Sequence, residues 1–279
     1  MKTRLLLLAA LTFSMIACGS KHGGTGTDAG DDGGPGDDGG PYIDAPPFGG
    51  GCTPNTSAPQ CSNCMDDDGD GKIDGDDIEC TSPFDNDEGS FATGIPGDNI
   101  DPVEQDCFFD GNSGAGNDGC NIHVCCLLGA ATKADCPIGA NRYNPADCPP
   151  PLGTATISQQ CKDTCGVLTP PGCDCFGCCT LCDATGCYDV ATNPTTSPDC
   201  TDQTLGDPTK CLRCTKTDCG NTDCGGATCI LCPGQDPSTL PPSCNSTPTC
   251  PTGTTPCGAG DVCPAQTFCS NGCCIGVIQ

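Results

Sequence analysis

The chain has 279 residues, of which 33 are Cys, 40 Gly and 27 Pro, and it carries a formal charge of −26 with no Trp. Leu, Ile, Val and Phe together number only 40, a share that would ordinarily leave a chain disordered. Cysteine at this density instead places it with scaffolds held by cross-links, and excludes a doubly wound α/β enzyme, a TIM barrel, a helical bundle and a membrane-spanning protein.

At the amino terminus, Lys2 and Arg4 precede an apolar run over residues 5–16, and Met15-Ile16-Ala17 leads into Cys18. A positive start, a short apolar stretch and a small residue before the cut describe a secretory signal over residues 1–17. The run is too short for a bilayer crossing, which needs roughly 20 apolar residues. Ile16-Ala17-Cys18 resembles the bacterial lipoprotein signal, with Met15 where that family usually has Leu. The resemblance implies cleavage before Cys18, diacylation of its sulfur and acylation of its new amino group. Gly19, rather than Asp, after the Cys implies release toward the outer membrane. Several acyl chains on one residue suffice for stable anchoring. The membrane is therefore an expected partner through Cys18, in the cell envelope and facing the periplasm or the exterior. Without Cys18 the count falls to an even 32, which can pair completely as 16 disulfides.

Residues 18–51 read as a flexible tether: 13 Gly lie between positions 19 and 51, beside Asp31-Asp32 and Asp37-Asp38, and no apolar period is present. As a random coil this stretch spans roughly 30 Å root-mean-square. Residues 52–119 form an acidic region, with 17 acids between Asp66 and Asp118 against one base, Lys72. Like charges at this density need cations or stay loose, and their sign excludes a nucleic-acid partner. Residues 120–279 form a disulfide-rich region with most of the cysteines. The fold expected is small, disulfide-rich and mostly irregular, with short β pieces near 155–157 and 276–278 and little helix beyond the signal segment.

Within the acidic region, acids fall at positions 1, 3, 5, 9 and 12 of the stretch 66–77, with Gly71 at position 6 and Ile73 at position 8. Ca²⁺ takes six to eight oxygens at short range, and this spacing wraps the backbone around one point. The expected ligands are Asp66, Asp68 and Asp70, the Lys72 carbonyl, Asp74 and Asp77, with Gly71 permitting the sharp turn. The stretch resembles the EF-hand loop, with Asp77 where that family usually has a bidentate Glu; Glu79 is the reserve ligand. Flanking helices are missing, since 59–64 and 80–83 are rich in Pro and Cys. A helix-free acidic loop closed by Cys80 resembles thrombospondin type 3 repeats and dockerin loops, which implies structural calcium. Further acids at 85–88 and at Asp110 are expected to complete this site or form a second one.

Five CxxC pairs occur, Cys61/Cys64, Cys175/Cys178, Cys179/Cys182, Cys211/Cys214 and Cys229/Cys232. In the cytosol, Cys211, Cys214, Cys229 and Cys232 would argue for a four-thiolate zinc site. Export favours oxidation, with Cys219 and Cys224 as competing partners, so disulfides are expected ahead of zinc. Cys175-Phe176-Gly177-Cys178 lacks the helix a redox pair requires. The vicinal pairs Cys125-Cys126, Cys178-Cys179 and Cys273-Cys274 are each expected to bond outward to two partners, because a ring between neighbours is strained.

No catalytic residue is assigned. His22 and His123 are the only histidines, too few for an oriented nucleophile and base. The carboxylates Asp98, Asp101, Glu104, Asp106 and Asp110 lack an apolar cleft to raise a pKa, and Phe108 and Phe109 are expected to pack. At residues 15–18 and 66–80, and only diffusely elsewhere, the chain resembles Cys-rich bacterial lipoproteins that carry Asp-rich calcium motifs. The reading is a non-enzymatic surface protein with a binding, adhesion or structural role toward an unknown surface partner. Its alternative is a thiolate-based handler of zinc or a similar soft ion, and behind both stands a carboxylate-based hydrolase.

Overall fold

The computed structural model describes residues 53–81, 83, 85–92, 103–110, 118–139, 141–244, 249–257 and 263–276. The signal segment, Cys18, the tether, Asp98, Asp101 and residues 277–278 lie outside them. The described residues all belong to the unit Gly40–Gln279.

Among them, only two short α-helices occur, α1 at Val124–Leu127 and α2 at Gln159–Thr164. Strands are short and antiparallel. β1 (Glu104–Gln105) pairs β2 (Ile122–His123); β3 (Cys178–Asp183) pairs β4 (Gly186–Ala191). β5 (Thr255–Pro256), β6 (Thr267–Ser270) and β7 (Cys273–Gly276) make a sheet in the order β5-β7-β6. The fold is thus disulfide-rich and mostly irregular, as the composition implies. No helix among the described residues is long and apolar enough to cross a membrane.

Of the two short β pieces expected from sequence, the first needs correction. Residues 155–157 are not in a strand. At the carboxyl end β7, Cys273–Gly276, reaches the first residue of the expected piece, and Asn271-Gly272 sets its hairpin with β6. Both residues have positive φ, 49° and 76°, the combination that matches the twist of paired strands. In β3 the burial does not alternate, with Cys178, Cys179, Leu181 and Cys182 all covered. A strand buried on both faces shows no period of two.

Fifteen disulfides join the described residues, and Cys64 is bonded as well. The vicinal pairs do bond outward: Cys125 to Cys136 and Cys126 to Cys148, Cys178 to Cys214 and Cys179 to Cys173, Cys273 to Cys250 and Cys274 to Cys263. Cys175 and Cys178 go to Cys219 and Cys214 rather than to each other. Cys211, Cys214, Cys229 and Cys232 sit in four separate bridges.

These sulfurs are also the interior. The main buried cluster sets cystines such as Cys107, Cys125, Cys165 and Cys175 against Phe91, Phe108, Phe109, Tyr143, Phe176 and Leu205. Cross-link and core are the same atoms, which is how a chain with so few large apolar residues still has a buried centre. Phe108 and Phe109 pack as expected, edge to face at 5.0 Å, with the Phe108 ring lying against Gly177.

Acidic and disulfide-rich regions meet in this body. Cys107–Cys165 ties one to the other, and the Phe91 amide donates to the Cys200 carbonyl at 3.0 Å. A Cβ on Gly75 would fall 2.1 Å from the Cys269 carbonyl oxygen, so only glycine lets the acidic loop lie this close to β6.

One buried acid organises the centre. Asp174 is 0% exposed and accepts four hydrogen bonds. Oδ1 takes the amides of Phe176 and Cys178 at 3.0 and 2.9 Å, and Oδ2 takes the amide and hydroxyl of Thr217 at 2.9 and 3.1 Å. Burial pushes its pKa up to about 6, although the four donors pull the other way.

Candidate metal centre

The stretch 66–77 folds around its own side chains. Asp66 accepts from the amides of Gly69 and Gly71 at 2.6 and 3.1 Å, Asp68 from Asp70 at 3.0 Å and Asp70 from Lys72 at 2.7 Å. Each is a local bond from side chain to backbone of the kind that short acidic residues use to replace regular structure. Gly71 sits at φ 95°, the conformation its place in the loop demands.

The result is a triad. One carboxylate oxygen each from Asp66, Asp68 and Asp70 lie within 4.8 Å of one another. Ligand oxygens around one Ca²⁺, each at about 2.3–2.6 Å, are separated by no more than about 5 Å, so all three can touch one ion. Burial comes first and the charges of Asp70 and Asp66 follow in raising the pKa of Asp68. Among the described residues, the cation at the triad is Lys72, whose Nζ lies 3.6 Å from Asp70 Oδ2 and whose side chain is partly exposed.

The remaining expected ligands are placed differently. Asp74 is 0% exposed and has φ 47°. Its Oδ1 accepts from the amides of Asn63 and Cys64 at 2.9 and 3.2 Å, and its Oδ2 from Cys64 at 3.0 Å. It therefore pins the loop's exit to the segment before its entry. Asp77 is buried beside Glu79: its Oδ1 accepts the Glu79 amide at 2.9 Å.

Glu88 is the residue that the sequence did not single out. It is fully buried; Oε2 accepts the Asp67 amide at 2.6 Å and Oε1 the Asp74 amide at 2.8 Å. A single carboxylate thus straps both ends of the loop, and burial pushes its pKa up to about 8. Only its place in the acidic run 85–88 marked it. Asp85 serves its own turn, accepting from Asp87 and from the Thr81 hydroxyl, both at 3.1 Å.

No family model, curated protein or solved structure matches the chain. The site must be judged on its chemistry. Asp110 and Asp118 form a further acidic group, with a carboxylate oxygen of each near the Cys107 sulfur. That sulfur is bonded to Cys165, and Asp118 is engaged by the amides of Cys120 and Cys107 at 2.8 and 3.3 Å. His123 is used structurally: its Nδ1 accepts the Cys125 amide at 3.0 Å, and its Nε2 donates to the Asn141 carbonyl at 2.8 Å. Glu104, Asp106 and Asp110, named as hydrolase candidates, flank the packed Phe108 and Phe109, with Asp106 and Asp110 buried.

Proposed function

We propose that this is a lipid-anchored envelope protein whose disulfide body is stiffened by structural calcium and which acts by binding or scaffolding at the surface, without catalysis. The observation that carries the calcium reading is the convergence of Asp66, Asp68 and Asp70 on one point. The Lys72 carbonyl is the fourth ligand of this seat, water completes the shell, and Asp74 and Glu88 hold the loop's shape from behind. Supports of that kind tune affinity nearly as strongly as ligands do. An exported module of this type works in the range of about 10⁻⁴ to 10⁻³ M.

Cysteine parity supports the anchor. All 31 described cysteines are disulfide-bonded, an odd number, so one of the two others, Cys18 and Cys52, completes the set and one is left over. The lipoprotein reading gives that one to Cys18. It also leaves no described thiolate for zinc.

Calcium titration of the oxidised chain by calorimetry tests the seat. Asp66→Ala with Asp70→Ala is expected to remove one bound Ca²⁺ per chain, with affinity at that site falling at least about 100-fold, and the number of disulfides unchanged. Uptake equal to the parent's would sink the seat. An intact mass lacking acyl adducts on Cys18 would sink the anchor.

A further inference from the structure

The acidic loop contains a second group of carboxylates, turned inward. Asp77 is 3% exposed and Glu79 2%. Each uses one oxygen conventionally: Asp77 Oδ1 accepts the Glu79 amide at 2.9 Å, and Glu79 Oε1 accepts the Asp202 amide at 2.5 Å. The other oxygens, Asp77 Oδ2 and Glu79 Oε2, are buried and have no hydrogen-bond partner. The two carboxyl groups nevertheless lie within hydrogen-bonding reach of each other.

Two carboxylates at contact distance, out of water, repel strongly, and burying even one unpaired charge costs several kcal/mol. Lys72, the nearby base, has a partly exposed side chain and lies 3.6 Å from Asp70. Neutralisation comes either from a proton shared by the pair or from a cation at the two free oxygens. Ligand oxygens on a common hard cation sit about 3 Å apart when each is about 2.3–2.6 Å from the ion, which is the arrangement two facing carboxylates in contact present.

We propose that Asp77 and Glu79 hold a second divalent cation, of the calcium class, buried beneath the acidic loop. The pair is separate from the Asp66, Asp68 and Asp70 triad, since neither residue has a ligand atom within that group. Glu79 meets the turn Asp202–Thr204 through the Asp202 amide. Through Glu79 Oε1 and the Asp202 amide, cation occupancy bears on a segment held by Cys200–Cys211. The outer seat shapes the loop; the inner one fastens it to the disulfide body. Burial raises the pKa of both carboxyl groups; Asp77 adds to the rise of Glu79, which reaches about 10, whereas the hydrogen bonds from Glu79 pull Asp77 the other way. The inference rests on the calcium reading only in sharing the loop that carries Asp77.

The test uses the full, oxidised chain and Ca²⁺ as the probe. Glu79→Gln keeps an acceptor for the Asp202 amide and offers an N–H to Asp77 Oδ2, so its number of disulfides and its circular dichroism are expected to match the parent's. It should bind one Ca²⁺ fewer per chain, and the Asp66→Ala, Asp70→Ala variant should lose a different one, so that the two losses add. Stoichiometry and affinities equal to the parent's in Glu79→Gln would overturn the proposal and leave a shared proton as the neutralising species. If Asp66→Ala, Asp70→Ala loses no calcium while Glu79→Gln loses one, the outer seat fails and this one stands. A measurement on the parent chain covers a misfolded variant. Saturating Ca²⁺ is expected to slow hydrogen exchange of the Asp202 amide at least about 10-fold, and an unchanged rate overturns the proposal.

Discussion

Reduced and alkylated, the protein is expected to lose its cooperative unfolding transition at 25 °C, seen as collapsed amide dispersion in NMR and loss of slowly exchanging amides. In the chain-entropy description a bridge closing 5 residues, as Cys182–Cys187 does, contributes about 2 kcal/mol, and one closing 58, as Cys107–Cys165 does, about 4. Nesting lowers the second figure. With Cys120–Cys161 intact inside it, the loop released by Cys107→Ser with Cys165→Ser is effectively about 17 residues, so about 3 kcal/mol is expected from that pair alone. Ordinary domains are stable by only about 5–15 kcal/mol, so a few bridges decide whether this chain folds. Calcium does not rescue the reduced chain. At ten times its dissociation constant one ion adds about 1.4 kcal/mol, less than a single bridge. A reduced chain that keeps a cooperative transition would show that the apolar side chains suffice without the cross-links.

Asp174→Ala is expected to cost at least about 3 kcal/mol, read as a shift in the urea midpoint of the oxidised protein. The substitution strands three backbone amides and the Thr217 hydroxyl in the centre, and each buried donor left unpaired costs about 1–3 kcal/mol. Asp174 also sets a pH dependence whose sign is unusual for an acid. Its folded pKa, about 6, lies above the model-peptide value of 3.8, so between these values the folded state holds more protons than the unfolded. Its contribution is therefore present below pH 3.8 and lost as pH rises through about 6, a change of roughly 3 kcal/mol. Asp174→Asn should flatten that part of the profile between pH 4 and 7. A parent and an Asn variant whose stabilities run parallel across this range would refute it.

How much of this was open to reading in the sequence depended on how local the cause was. Asp66, Asp68 and Asp70 converge because each bonds to a backbone amide two to five residues ahead, and spacing alone records that. The outward bonding of vicinal cysteines was legible for the same reason, since the strain lies between neighbours. Connectivity was not: Cys175 reaches Cys219 and Cys107 reaches Cys165, across separations on which composition is silent. Asp74 illustrates the intermediate case. Its place in the acidic loop marked it as a ligand, but its oxygens are taken by Asn63 and Cys64, a contact ten residues back that no ligand spacing encodes. Glu88 and Glu79 act across 14 to 123 residues, and β3 hid its strand character by burying both faces.

The web of bridges has a consequence for durability in a protease-rich setting. Every Lys and Arg among the described residues lies inside a closed loop: Lys72 between Cys61 and Cys80, Lys133 between Cys125 and Cys136, Arg142 between Cys126 and Cys148, and Lys162 between Cys107 and Cys165. Lys210, Arg213 and Lys216 fall within the loops closed by Cys200–Cys211, Cys178–Cys214 and Cys175–Cys219. A trypsin-like enzyme that severed the backbone after all seven would shed no fragment from the described body, because each piece stays linked through sulfur to another. The molecule can be nicked repeatedly and remain one covalent object.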